Sequence, residues 1–220
     1  MFAPHISDPM GYQRMYEVWR GTAASFKQGD NPTPYLKNLR TVDAVNTLQV
    51  ATTDTGTAKV KQFFGTQVAA IAQDPSYYSP TTEFPSDGKI PSGSFYGLYG
   101  AALLISVQYG TITQLNTLLA GFAGGRLNID IGTDPVCRWI INSCLDSFDS
   151  GYQVSNDNAA TSLVARAGFV HSAPRPLPWV KNLNPAAQLS ANVTYTMATV
   201  AVAFYVTLLL SCFAGDQGTG

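Results

Sequence analysis

The amino-acid sequence predicts an all-β protein, a β-sandwich carrying one or two short helices. Three observations predict it. Residues 191–212, ANVTYTMATVAVAFYVTLLLSC, carry no charge and are rich in Val, Thr, Tyr and Phe, which favour strands. Apolar positions in that stretch recur every second residue, the period of a strand. Similar runs recur along the chain between clusters of Gly, Pro, Asp and Asn, the residues of tight turns.

The C-terminal stretch carries the clearest pattern. From Val200 the even positions read Val200, Val202, Phe204, Val206, Leu208, Leu210 and Cys212. Before it the apolar set lies on odd positions: Val193, Tyr195 and Met197. The phase slips by one residue near Ala198–Thr199, which predicts one long strand with a β-bulge. The competing reading is a tail anchor over 195–214, since a bilayer span needs about 20 apolar residues. Thr196, Thr199, Thr207 and Ser211 dilute the run, and no basic cluster flanks it, so no membrane contact is expected.

Asp8 and Pro9 open a short helix over residues 8–18, ended by Gly21. Thr22–Lys27 reads as a strand, and Gly29–Pro34 as a turn-rich loop. Leu48–Thr52 is a short alternating strand, followed by a turn through Gly56. Residues 58–72 fit either period; Gly65 and Thr66 in the middle favour a strand with Val60, Phe64, Val68 and Ala70 on one face. Residues 74–95 form a long loop with four prolines and the turn Ser86-Asp87-Gly88. The next strand sets Leu103, Ile105, Val107 and Tyr109 on one face. Ala123-Gly124-Gly125 is a turn. It leads into Arg126–Ile131, where Leu127, Ile129 and Ile131 alternate with Asn128 and Asp130. Residues 134–149 read as the firmest helix: Asp134 caps, Pro135 starts, Gly151 stops, and Cys137, Ile141, Cys144, Leu145 and Phe148 share a face. Leu163–Val170 is a strand, and residues 172–185, with Pro174, Pro176, Pro178 and Pro185, an extended connector. The sum is about seven strands in a single domain over 1–220, with long loops at 74–95 and 172–185. Such a pattern suggests a sandwich of the jelly-roll kind.

The chemistry is sparse. Hydrophobic residues make up 45% and charged residues 12% of the chain, about half the usual charged share. A surface so poor in charge fits an assembly protein covered by neighbours. The formal charge is −1 and no basic run exists, so a genome-condensing arm is missing. Three cysteines, Cys137, Cys144 and Cys212, imply no disulfide framework and read as buried free thiols. His5 and His171 have no metal-spaced partners. His171 with Asp157 and a serine lacks the sequence context of a hydrolase triad. Gly121–Arg126 lacks the Lys-Ser/Thr end of a phosphate loop and reads as a turn. No enzyme, cofactor, metal or small-molecule substrate is therefore expected. A carbohydrate-binding or hydrolytic β-sandwich stands as an alternative.

One segment is more specific: Met15-Tyr16-Glu17-Val18-Trp19-Arg20-Gly21-Thr22-Ala23-Ala24-Ser25-Phe26-Lys27. It resembles the helix-to-strand segment of picornavirus-like coat proteins, in which an aromatic residue and Trp/Tyr-Arg-Gly-Ser/Thr lead into a jelly-roll strand. The resemblance covers thirteen of 220 residues. Several strands precede this segment in that family, whereas fourteen residues precede it here. The resemblance implies a capsid subunit that assembles in the host cytoplasm and resides in the virion, with copies of itself or other coat proteins as partners. Nucleic acid would then be met without a basic arm. The expected subunit contacts are Trp19 and Arg20 in this segment, Tyr77, Tyr78 and Phe84 in the 74–95 loop, and Trp179 in the connector.

Overall fold

A computed structural model describes Glu17 and residues 36–65, 87–106, 121–144, 152–156, 163–167, 169–170, 175–200 and 203–217. Eleven strands run through them: β1 (Leu36–Val50), β2 (Gly56–Phe64), β3 (Ser94–Ser106), β4 (Arg126–Ile131), β5 (Asp134–Ile140), β6 (Tyr152–Asn156), β7 (Leu163–Ala167), β8 (Phe169–Val170), β9 (Arg175–Leu183), β10 (Leu189–Met197) and β11 (Phe204–Gln217). The all-β sandwich expected from the sequence is what forms.

Sheet A has the order β1-β11-β3, with β8 and β9 lying end to end along the far edge of β3. Sheet B has the order β2-β10-β4-β5. β6 and β7 form a separate hairpin. Every pairing is antiparallel. The pairs are nested: β1 with β11, β2 with β10, β3 with β9, β4 with β5. The chain is thus one long two-stranded ribbon folded back on itself, so that β11 also pairs with β3 and β10 with β4.

The core lies between the sheets. Leu189, Ala191, Val193, Tyr195 and Met197 of β10 face Phe204, Val206, Leu208, Leu210 and Cys212 of β11 across it. At one end Phe122 packs its ring on Tyr195 at 5.2 Å and edge-on against Phe204 at 5.3 Å. Asn46 is the buried polar tie between the sheets. Its amide Nδ2 donates to the Phe63 carbonyl on β2, and its Oδ1 accepts from the Thr47 N–H at 2.9 Å.

The C-terminal stretch buries its odd positions first and its even positions afterwards, as its phase predicts. The cause of the slip differs from the expected bulge. The stretch is two strands in two different sheets, and the chain crosses the sandwich between Met197 and Phe204. Each strand must present its apolar set to the same core from opposite sides, which inverts the parity. No helix among the described residues is long and apolar enough to cross a membrane.

Four further expectations are corrected. Residues 134–140 are strand β5, and Ile141–Cys144, the rest of the described part of this span, form a 3-10 turn. Gly132, at φ +59°, and Thr133 make a two-residue hairpin turn that pairs Ile131 with Asp134. Pro135 then sits on an edge strand, where its missing N–H is tolerated. Cys137 points into the core while Arg138 and Ile140 are exposed, the period of two that the helical reading overlooked. Second, the 172–185 connector is mostly strand. β9 pairs through Arg175 and Pro176 and again through Lys181–Leu183, and the chain bows out between them, where Pro178 lies. Third, β1 begins at Leu36 and is far longer than Leu48–Thr52. Asp43 and Asn46 break its apolar alternation, but both are hydrogen-bonded. Fourth, Val60 and Phe64 do not share a face. The register of β2 slips at Phe63, so Phe63 and Phe64 are both buried while Val60 is exposed.

Other expectations hold. β4 spans Arg126–Ile131, and Leu127 and Ile129 are buried. Leu103 and Ile105 line the core side of β3. By contrast, the 74–95 loop is shorter at its C-terminal end than expected, since β3 already starts at Ser94 and Ile90 and Phe95 are buried. Cys137 and Cys212 are buried. Residues 22–27, 66–72 and 145–149, and Val107 and Tyr109, lie outside the described residues.

Candidate functional site

Of the six residues expected at subunit contacts, Trp19, Arg20, Tyr77, Tyr78 and Phe84 lie outside the described residues. The sixth, Trp179, is on β9, within the bow between its two paired ends. His5 and His171 also lie outside the described residues. Among the described residues no group of three or more His, Cys, Asp or Glu side chains converges as a metal site. Among the described residues, the surfaces available for function are the outward faces of the two sheets and their edges.

The outward face of sheet A is built from rows fixed by the register. Gln49 pairs with Tyr205, Thr47 with Thr207, Val45 with Leu209, Asp43 with Ser211, and Thr41 with Phe213. Its polar groups are bonded to one another. Gln49 Nε2 donates to the Tyr205 hydroxyl at 3.1 Å, the Thr47 and Thr207 hydroxyls meet at 2.9 Å, and Ser211 Oγ donates to Asp43 Oδ1 at 3.1 Å. The register of β3 slips between Leu98 and Gly100, which turns Tyr99 onto this outward face. There its ring lies 4.6 Å from that of Phe213. Much of this face is buried: Val45, Thr47, Phe95, Tyr99, Thr207, Ser211 and Phe213 all are. Burial raises the pKa of Asp43, and the Ser211 hydrogen bond only partly offsets it.

The outward face of sheet B is open. One row reads Val60–Thr194–Arg126–Ile140 and the next Gln62–Asn192–Asn128–Arg138. Asn128 Nδ2 donates to Asn192 Oδ1 at 2.9 Å and to Thr194 Oγ1 at 3.2 Å, and Arg138 pairs with Asp130. Val60 is 57% and Ile140 54% exposed at the two ends of the first row. No aromatic side chain stands in these rows.

A third polar group sits where β2 leaves the sandwich. Asp54 Oδ2 accepts from Lys61 Nζ at 2.6 Å and from the Ala51 N–H at 2.7 Å. Burial alone would raise its pKa, but the Lys61 hydrogen bond, the Ala51 N–H and the charges of Lys61 and Lys59 outweigh it and leave the carboxyl below its ordinary value. Tyr195 lies beneath, its buried hydroxyl without a hydrogen-bond partner among the described residues. Burial, reinforced by the charge of Asp54, raises the Tyr195 pKa and keeps the phenol protonated.

Sequence reasoning did not find these rows, because polar residues on alternate strand positions announce only an outward face. The signal that could have found the covered face was the Thr207/Ser211/Phe213 series opposite the even-numbered core positions. Comparison with known protein families, characterised proteins and solved structures finds no match to this chain.

Proposed function

We propose that the chain is a jelly-roll coat subunit. It acts without catalysis, by assembling with copies of itself, alone or with companion coat proteins, into a viral particle. One observation carries the reading: the nested antiparallel pairing that gives sheet orders β1-β11-β3-β9 and β2-β10-β4-β5. An eight-stranded double sheet wound in this way is the architecture of jelly rolls, among which viral capsid domains are prominent. Two further features support it: the low charge density and the Trp19-Arg20-Gly21 segment that resembles picornavirus-like coat proteins. Genome charge would be met by scattered residues such as the exposed Arg126 rather than by an arm.

Sedimentation velocity and negative-stain microscopy of the purified protein test this. Closed shells or discrete large oligomers are the expected result. A monodisperse monomer at high concentration, with no particle in any buffer, would overturn it.

A further inference from the structure

β2 ends the order of sheet B, and among the described residues no strand pairs with its far side. A free strand edge with an exposed apolar residue, here Val60, invites pairing with another chain. Three features of β2 work against that. Lys59 and Lys61 lie directly opposite Tyr195 and Val193, whose side chains face the core, so both lysines sit on the inward side of the strand. Lys61 is held there by Asp54 at 2.6 Å. The register slips at both ends of the strand, around Ala58, which has the left-handed φ of +52°, and around Phe63. Bulges and inward charges both penalise a strand that tries to extend a sheet, the first by bending the edge and the second by forcing an ammonium group against apolar surface.

We propose that Lys59 and Lys61, the latter anchored by Asp54, are an edge guard that stops β2 from pairing with the β2 of a second copy of this chain. Beyond the Lys61–Asp54 ion pair, the two lysines act on which contacts the subunit makes. Removing the charges leaves a nine-residue edge with an apolar outward residue at its middle and nothing inward to resist docking.

The experiment uses Val60→Cys as a reporter, because an antiparallel β2–β2 pair centred on residue 60 brings two such thiols together. Cross-linking by a short bis-maleimide is compared in the natural lysine background, in Lys59→Val/Lys61→Val, in Lys59→Thr/Lys61→Thr and in Lys59→Arg/Lys61→Arg. Circular dichroism and the melting temperature confirm that each variant is folded. The valine or threonine pair is expected to raise the residue-60 cross-link several-fold, while the arginine pair stays at the parent level. A folded valine or threonine variant with the parent's yield would overturn the proposal. So would efficient cross-linking of Val60→Cys with both lysines in place, a result that does not depend on the other variants folding.

Discussion

The outward faces of the two sheets share hydrogen-bonded polar rows, differ in carrying aromatic rings on sheet A and arginines on sheet B, and end in opposite states. Both carry Thr and Asn or Ser rows joined by side-chain hydrogen bonds. On sheet A those rows run beside Phe213, buried at 0% exposure, whereas on sheet B they lie open beside Val60 at 57%. The difference teaches that a strand's outward residues do not reveal from their polarity whether they are covered. Pairing between neighbours satisfies polar groups equally well in water and out of it. Only the price of breaking a pair differs, because a buried orphan cannot turn to solvent.

The largest test follows from that contrast. Phe213→Ala should cost about 3–5 kcal/mol, the range for a buried aromatic, while Val60→Ala, on the same side of its own sheet, should stay within about 0.5 kcal/mol. Urea denaturation measures both; equal costs would remove the distinction between the faces. A smaller effect isolates the polar pairs. Thr47→Val should cost about 1–3 kcal/mol by taking the partner from the buried Thr207 hydroxyl, and adding Thr207→Val should return part of that loss. The matching Thr194→Val on sheet B, where Asn128 keeps Asn192 and water, should change little. Additive losses in the Thr47/Thr207 cycle would show that the hydroxyls do not depend on each other.

Acid titration sharpens the comparison through two carboxylates. Asp43 on the covered face has a folded pKa above its ordinary 3.8, so its contribution to stability is full below that value and is lost as pH rises through the raised one. Asp54 beside Lys61 has a folded pKa below 3.8, so its contribution is present above 3.8 and is lost as pH falls through the lowered one. Relative to the parent, Asp43→Asn should therefore gain as pH rises above 3.8, and Asp54→Asn should lose most at neutral pH. Urea midpoints across pH 2–7 read both trends; parallel curves would contradict the assignment. The smallest effect is expected at Ala186, whose φ of +63° is costly for a residue with a Cβ. Ala186→Gly should raise the melting temperature slightly, by about 0.5–1 kcal/mol of stability.

What the sequence disclosed follows the same physics. β4 and the two C-terminal strands were legible because each alternates cleanly against a core on one side. The crossing at 198–203 was legible as a phase slip, but its meaning was not, since a bulge and a change of sheet both invert parity. β5 was misread because Asp134-Pro135 starts a helix and leaves a hairpin turn with equal ease, and Gly132 just before it decides for the turn. β9 hid behind its prolines, which occupy an edge and a bow where no ladder bond is missed. The aromatic and arginine contacts expected at Trp19, Arg20, Tyr77, Tyr78 and Phe84 sit in segments outside the described residues, so the rows of the sheet faces emerged only from the fold.

The nested ribbon also sets a timetable. Thr47 meets its cross-strand neighbour, Thr207, 160 residues later. At a synthesis rate of roughly 5–20 residues per second, that is a delay on the order of ten seconds. Throughout it, β1 has no β11 to lie against and β3 lacks its inner neighbour. Sheet A therefore cannot close on a growing chain, and a ribosome-bound nascent chain halted before Phe204 should expose it to chaperones and proteases.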